Sequence, residues 1–168
     1  MTRDAVAVRA KRLRRTLTAP FAVLASLGVI FVLLIIFVPT LDGPQTWIRI
    51  HEERSAVTIR TLNDLERAYA RSNPQKGFSC ELSALRTASA NYLPESLWTT
   101  GTMNRYQFYL VNCRADSTGT VLHYQVIAMP VDPGKSGVKA FCSDETGVTR
   151  YDKDGSVTNC FGKGTTIN

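Results

Sequence analysis

The chain has 168 residues, 44% of them hydrophobic, with 20 Lys and Arg against 14 Asp and Glu and a formal net charge of +6. The first nineteen residues hold six cations and one anion, or +5, so the other 14 cations and 13 anions leave only +1. Charge concentrated in this way is a topology signal, and it excludes the broad basic surface of a nucleic-acid-binding domain.

Residues 1–19 are a basic tail in which Arg3, Arg9, Lys11, Arg12, Arg14 and Arg15 face only Asp4. Phe21 to Val38 follows, eighteen residues without a charge and with Ser26 as the one polar side chain. At about 1.5 Å per residue such a run spans roughly the 30 Å hydrocarbon core of a bilayer. It predicts a transmembrane helix over 20–39. Beyond it no cation stands before Arg49. The positive-inside rule then assigns Arg9, Lys11, Arg12, Arg14 and Arg15 to the cytoplasm and the chain after about residue 40 to the outside. The apolar run exceeds a usual signal-peptide core, and no small-x-small site follows closely, which predicts an uncleaved signal anchor. The expected partner is a lipid bilayer, with the tail against anionic headgroups.

Pro39, Gly43 and Pro44 break the helical pattern, and a single domain is predicted over 45–168. From Gln45 to Arg71 a second helical pattern runs, with Ile59, Leu62, Leu65 and Tyr69 on one stripe at three- and four-residue steps. Asn73-Pro74 ends it. Residues 74–104 read as a loop-rich connector with a short helix near Glu81 to Thr87 and Trp98 as a core plug.

After Met103 the period changes to two. Tyr106 to Cys113 and Val121 to Met129 predict a hairpin around the turn Asp116-Ser117-Thr118-Gly119. Val138 to Ser143 and Val148 to Tyr151 predict two more strands, and the Gly- and Thr-rich end after Cys160 reads as loose. The predicted fold class is α+β: an N-terminal transmembrane helix, then an amphipathic helix packed on a four-stranded antiparallel sheet.

All four cysteines, Cys80, Cys113, Cys142 and Cys160, follow the apolar run. An even number in an oxidising compartment predicts two disulfides, of three possible connectivities. Cys142 ends one strand and Cys160 follows the next strand and turn, which favours Cys142–Cys160. Cys80 follows the helix and Cys113 ends the first strand, which favours Cys80–Cys113.

Several stretches carry a resemblance. Ser55-Ala56-Val57, Leu62-Asn63, Tyr69, Pro74, Gly77-Phe78-Ser79-Cys80 and Leu82 resemble the post-anchor helix and loop of bacterial type IV pilin-like (pseudopilin-like) proteins. So do Gly101-Thr102, Tyr106-Gln107-Phe108, Tyr124-Gln125-Val126, and Pro130 to Val138 with Phe141 to Val148 and Tyr151-Asp152. The resemblance covers about residues 55–155 and implies a long helix laid on an antiparallel sheet. It departs at the processing site: Pro20 precedes Phe21, and Ala25 stands where the family has glutamate. The resemblance therefore implies a pilin-like domain on an ordinary anchor in the bacterial inner membrane, for interaction or scaffolding beside other pilin-like or secretion-system proteins. A divergent filament or secretion-apparatus subunit is the alternative.

No catalytic constellation is visible. Gly134-Lys135-Ser136 lacks the earlier glycine of a phosphate-binding loop, since Met129 stands there. Asp152-Lys153-Asp154-Gly155 has too few oxygen ligands for a calcium loop and reads as a turn. His51 and His123 stand alone, outside any zinc or nucleophile motif. Trp47 suits an aromatic belt at the membrane interface. The expectation is no enzyme, no cofactor and no metal.

Overall fold

The computed structural model describes residues 27–32, 43–86 and 93–167. The chain divides into two units, Met1–Leu41 and Asp42–Asn168. In the first, the described residues 27–32 are helical.

The second unit opens with α1, Pro44–Ser72. Gly43 precedes it in an extended conformation, and Pro44 stands in the first turn, where its missing N–H has no intrahelical partner to lose. At the other end the Asn73 N–H reaches the carbonyls of Ala70 and Tyr69, and Pro74 blocks continuation. Ala56, Ile59, Leu62 and Leu65 are buried on one face of α1. Their spacing of three and four residues produces that stripe.

After a 3₁₀ turn at Leu82–Leu85 and the short helix α2, Glu95–Thr99, the chain enters a six-stranded sheet. Its strands are β1 Thr102–Met103, β2 Tyr106–Ala115, β3 Val121–Pro130, β4 Ala140–Asp144, β5 Arg150–Asp152 and β6 Thr165–Thr166. Every neighbouring pair is antiparallel and the spatial order follows the chain. A last helix, α3, Val157–Lys163, connects β5 to β6. The Ser156 hydroxyl caps α3 by accepting the Asn159 N–H at 3.2 Å.

Strand alternation gives each sheet face its own apolar set. Tyr106, Phe108, Tyr124, Val126, Ala128 and Phe141 join the α1 stripe, Leu85, Leu97 and Trp98 in the main core. Ile127 and Cys142 point the other way and pack with Cys160, Val157 and Phe161 of α3. The sheet centre is thus covered on both sides.

Two parts of the predicted fold class are corrected. The sheet has six strands, not four. β1 and β6 are two residues each and show no alternation that could reveal them. They form because the backbone of β2 and β5 offers unpaired edges, at Thr102↔Gln107 and Arg150↔Thr166. The predicted transmembrane helix is not found either. No helix among the described residues is long and apolar enough to cross a membrane. The helical residues there are 27–32; the remainder of 20–39, and Arg9, Lys11, Arg12, Arg14 and Arg15, lie outside the described residues.

α1 is held to the sheet by polar contacts as well as apolar ones. Buried Glu52 accepts the Val138 and Lys139 N–H groups at 3.0 and 3.2 Å and meets Lys139 Nζ at 2.8 Å. Burial opposes its ionisation, but the Lys139 ammonium and the two amides outweigh burial and hold its carboxyl below the ordinary carboxylate value. Asn63 donates to Ser143 Oγ at 2.8 Å and accepts from the Tyr124 hydroxyl at 2.9 Å.

Candidate functional site

A polar groove of about 530 Å³ lies where β2, β3 and the end of β4 meet. Its shape begins with an irregularity in β2. The β2–β3 register slips between Val111 and Arg114, and Asn112 between them takes a φ of +52°. A bulge of this kind re-aims side chains on the strand that carries it. Here it lets Asn112 Nδ2 donate to Gln125 Oε1 at 2.6 Å. Cys113, next along, is bonded to Cys80.

The β3–β4 register pairs Gln125 with Asp144 and so brings His123 beside Glu145. His123 Nδ1 stands 2.7 Å from Glu145 Oε1, and Glu145 Oε2 accepts the Tyr124 N–H at 3.4 Å. Partial burial works against the Glu145 charge, yet the bonds from His123 and the backbone prevail and keep its carboxyl below the ordinary range. Asp144 is held by its own turn, accepting the Thr146 N–H at 3.1 Å, and faces Arg150 at 3.8 Å.

Chemically, a carboxylate beside Nδ1 orients the imidazole and leaves Nε2 for a further hydrogen bond. The groove adds acceptors at Asp144 and Gln125 and a guanidinium at Arg114. This set suits recognition of a polar ligand by hydrogen bonds. The Cys113 sulfur is committed to its bridge, and the Tyr124 hydroxyl to Asn63.

No family model, no curated protein and no solved structure matches the chain.

The cysteines are paired as Cys80–Cys113 and Cys142–Cys160, each with Cα atoms 6.0 Å apart. The first joins the segment after α1 to β2; the second joins β4 to α3. Trp98 sits in the core. Gly134-Lys135-Ser136 forms a turn in which the Ser136 hydroxyl is bonded to Asp132 backbone, and the Asp152 carboxylate caps the Asp154 and Ser156 amides. Among the described residues no cluster of three or more His, Cys, Asp or Glu is placed to hold a metal ion. His51 lies far from His123 in sequence and lines a separate pocket with Trp47, Arg105 and Lys135.

Sequence reasoning missed the His123–Glu145 pair. The residues stand 22 apart, and only the strand register unites them. It also missed Glu66, which is fully buried on α1. Burial raises its carboxyl to about 7, although the Ser79 amide it binds pulls the other way.

Proposed function

We propose that residues 45–168 form a non-enzymatic interaction or scaffolding domain, displayed outside the cytoplasm and tethered to a bacterial inner membrane through the apolar run 21–38. The observation that carries this reading is the pairing of all four cysteines. Disulfides persist in oxidising compartments and are rare in the cytosol. Both bridges fasten a peripheral segment to the sheet. Arg9, Lys11, Arg12, Arg14 and Arg15 ahead of the apolar run support an N-terminus in the cytoplasm. The groove around His123 and Glu145 supports binding of a polar ligand or partner segment, since its lining offers hydrogen-bond groups rather than an activated nucleophile.

Reporter fusions after Asn168 test the reading. A reporter active only outside the cytoplasm is expected to work there, and one active only inside to be silent. The reverse pattern would overturn the reading. Reversing the charge of Arg9, Lys11, Arg12, Arg14 and Arg15 together is expected to weaken or invert the orientation.

A further inference from the structure

We infer that the pocket at the start of α1 binds the phosphate of an anionic lipid headgroup, docking the domain on the membrane surface. The inference rests on the membrane attachment proposed above. The pocket has a volume of about 550 Å³ and is lined by Trp47, Ile48, His51, Arg105, Gly134 and Lys135.

Its groups match a headgroup in both halves. Trp47, on its lining, is 51% exposed. A tryptophan with one apolar and one wet side prefers the membrane interface. For the phosphate there are Arg105, Lys135 and His51. Arg105 is exposed and makes no ion pair among the described residues. Lys135 meets Asp132 at 3.3 Å, but that pair is exposed, and such pairs hold weakly in water. His51 Nδ1 is buried with no hydrogen-bond partner among the described residues.

The local field has the right sign. Burial holds His51 below its ordinary value, and the positive charges of Arg105 and Arg54 push it further down. An arriving anion relieves that repulsion.

Five residues lie between Val38 and Pro44, which makes six Cα-to-Cα steps. At no more than about 3.5 Å each they reach about 21 Å. The start of α1, with Trp47 in its first turn and His51 in its second, therefore follows the apolar run closely along the chain. A free phosphate would use the cations alone and leave Trp47 and Ile48 without a role.

The full chain in uncharged detergent micelles provides the test. Phosphatidylglycerol, phosphatidylcholine or inorganic phosphate is added, and Trp47 emission is followed against the constant signal of buried Trp98. Phosphatidylglycerol is expected to shift the emission to shorter wavelength, and phosphatidylcholine and inorganic phosphate at equal concentration to leave it in place. R105Q and K135Q lie on the surface and are each expected to raise the half-saturating phosphatidylglycerol fraction roughly fivefold. An equal response to phosphatidylcholine, a full response to inorganic phosphate, or variants that titrate like the parent would each overturn the inference.

A flotation assay separates this from the attachment reading. Flotation with phosphatidylcholine vesicles but no lipid-dependent shift leaves the attachment standing and removes the pocket. Flotation only with phosphatidylglycerol vesicles, lost in R105Q, supports the pocket and removes the attachment by the apolar run. Flotation with neither removes both.

Discussion

The Glu66 carboxylate accepts the Ser79 N–H at 2.7 Å with both residues buried. One carboxylate oxygen, Oε1, has no hydrogen-bond partner among the described residues. The segment after α1 is thus fastened to the helix through an acid that is costly to ionise there.

A pH dependence is expected from this arrangement. Burial raises the Glu66 carboxyl from 4.5 to about 7 in the folded chain. A folded value above the unfolded one means that the folded state binds more protons between the two. The stability contribution is therefore complete below about pH 4.5 and is lost as pH rises through 7. The difference corresponds to about 3 kcal/mol. Denaturant melts of E66Q, which keeps an acceptor for Ser79 without the charge, are expected to show a flatter profile between pH 5 and 8. An unchanged slope would show that Glu66 does not govern it.

Glu52→Ala is expected to destabilise by about 2–4 kcal/mol. The substitution strips the Val138 and Lys139 amides and the Lys139 ammonium of their shared acceptor at a buried site. Urea unfolding at pH 7 measures it. Because the folded carboxyl titrates below the ordinary range, the contribution of Glu52 is present above the unfolded value and is lost as pH falls through the folded one.

Gly77→Ala is expected to cost about 2–3 kcal/mol. Gly77 has a φ of +73°, and an added Cβ would collide with the Val121 carbonyl. Phe78 N–H and Val121 N–H bond across this same junction, at 3.0 Å to the Val121 carbonyl and 2.8 Å to the Lys76 carbonyl. The chain has no room to move aside without breaking them. The melting temperature of G77A is the measurement.

The two disulfides are expected to yield to reductant in order. Cys80 is exposed and Cys113 half-buried, whereas Cys142 and Cys160 are 0% exposed in the core under α3. Thiolate attack needs access to sulfur. Stepwise alkylation under mild reductant is expected to modify Cys80 and Cys113 first. Simultaneous modification would mean that the α3 side opens as readily as the surface bridge.

What the sequence disclosed and concealed follows from physical range. The predicted helix over Gln45 to Arg71 is observed as Pro44–Ser72, because its apolar stripe and Pro74 are local signals. The predicted hairpin is observed as Tyr106–Ala115 with Val121–Pro130, joined by a turn in which Asp116 accepts the Thr118 and Thr120 amides. Asn63 lies off the predicted apolar stripe of Ile59, Leu62, Leu65 and Tyr69, yet it is buried against Ser143 and Tyr124. Its partners are 80 and 61 residues away, and no local pattern announces them. The end after Cys160 reads as loose but continues α3 to Lys163 and then forms β6. There the Ser156 to Asn159 cap was a usable signal. The groove at His123 depends on a slip in strand register at Asn112, which period-two alternation does not encode.

The central claim, that this domain folds outside the reducing cytoplasm, is tested most directly by the redox state of its cysteines in cells. Free thiols are blocked at lysis, and the full chain is digested without reduction and mapped by mass spectrometry. Cys80 is expected linked to Cys113 and Cys142 to Cys160, with no blocked thiol at any of the four. Blocked thiols at Cys142 and Cys160 in the freshly lysed protein would contradict it.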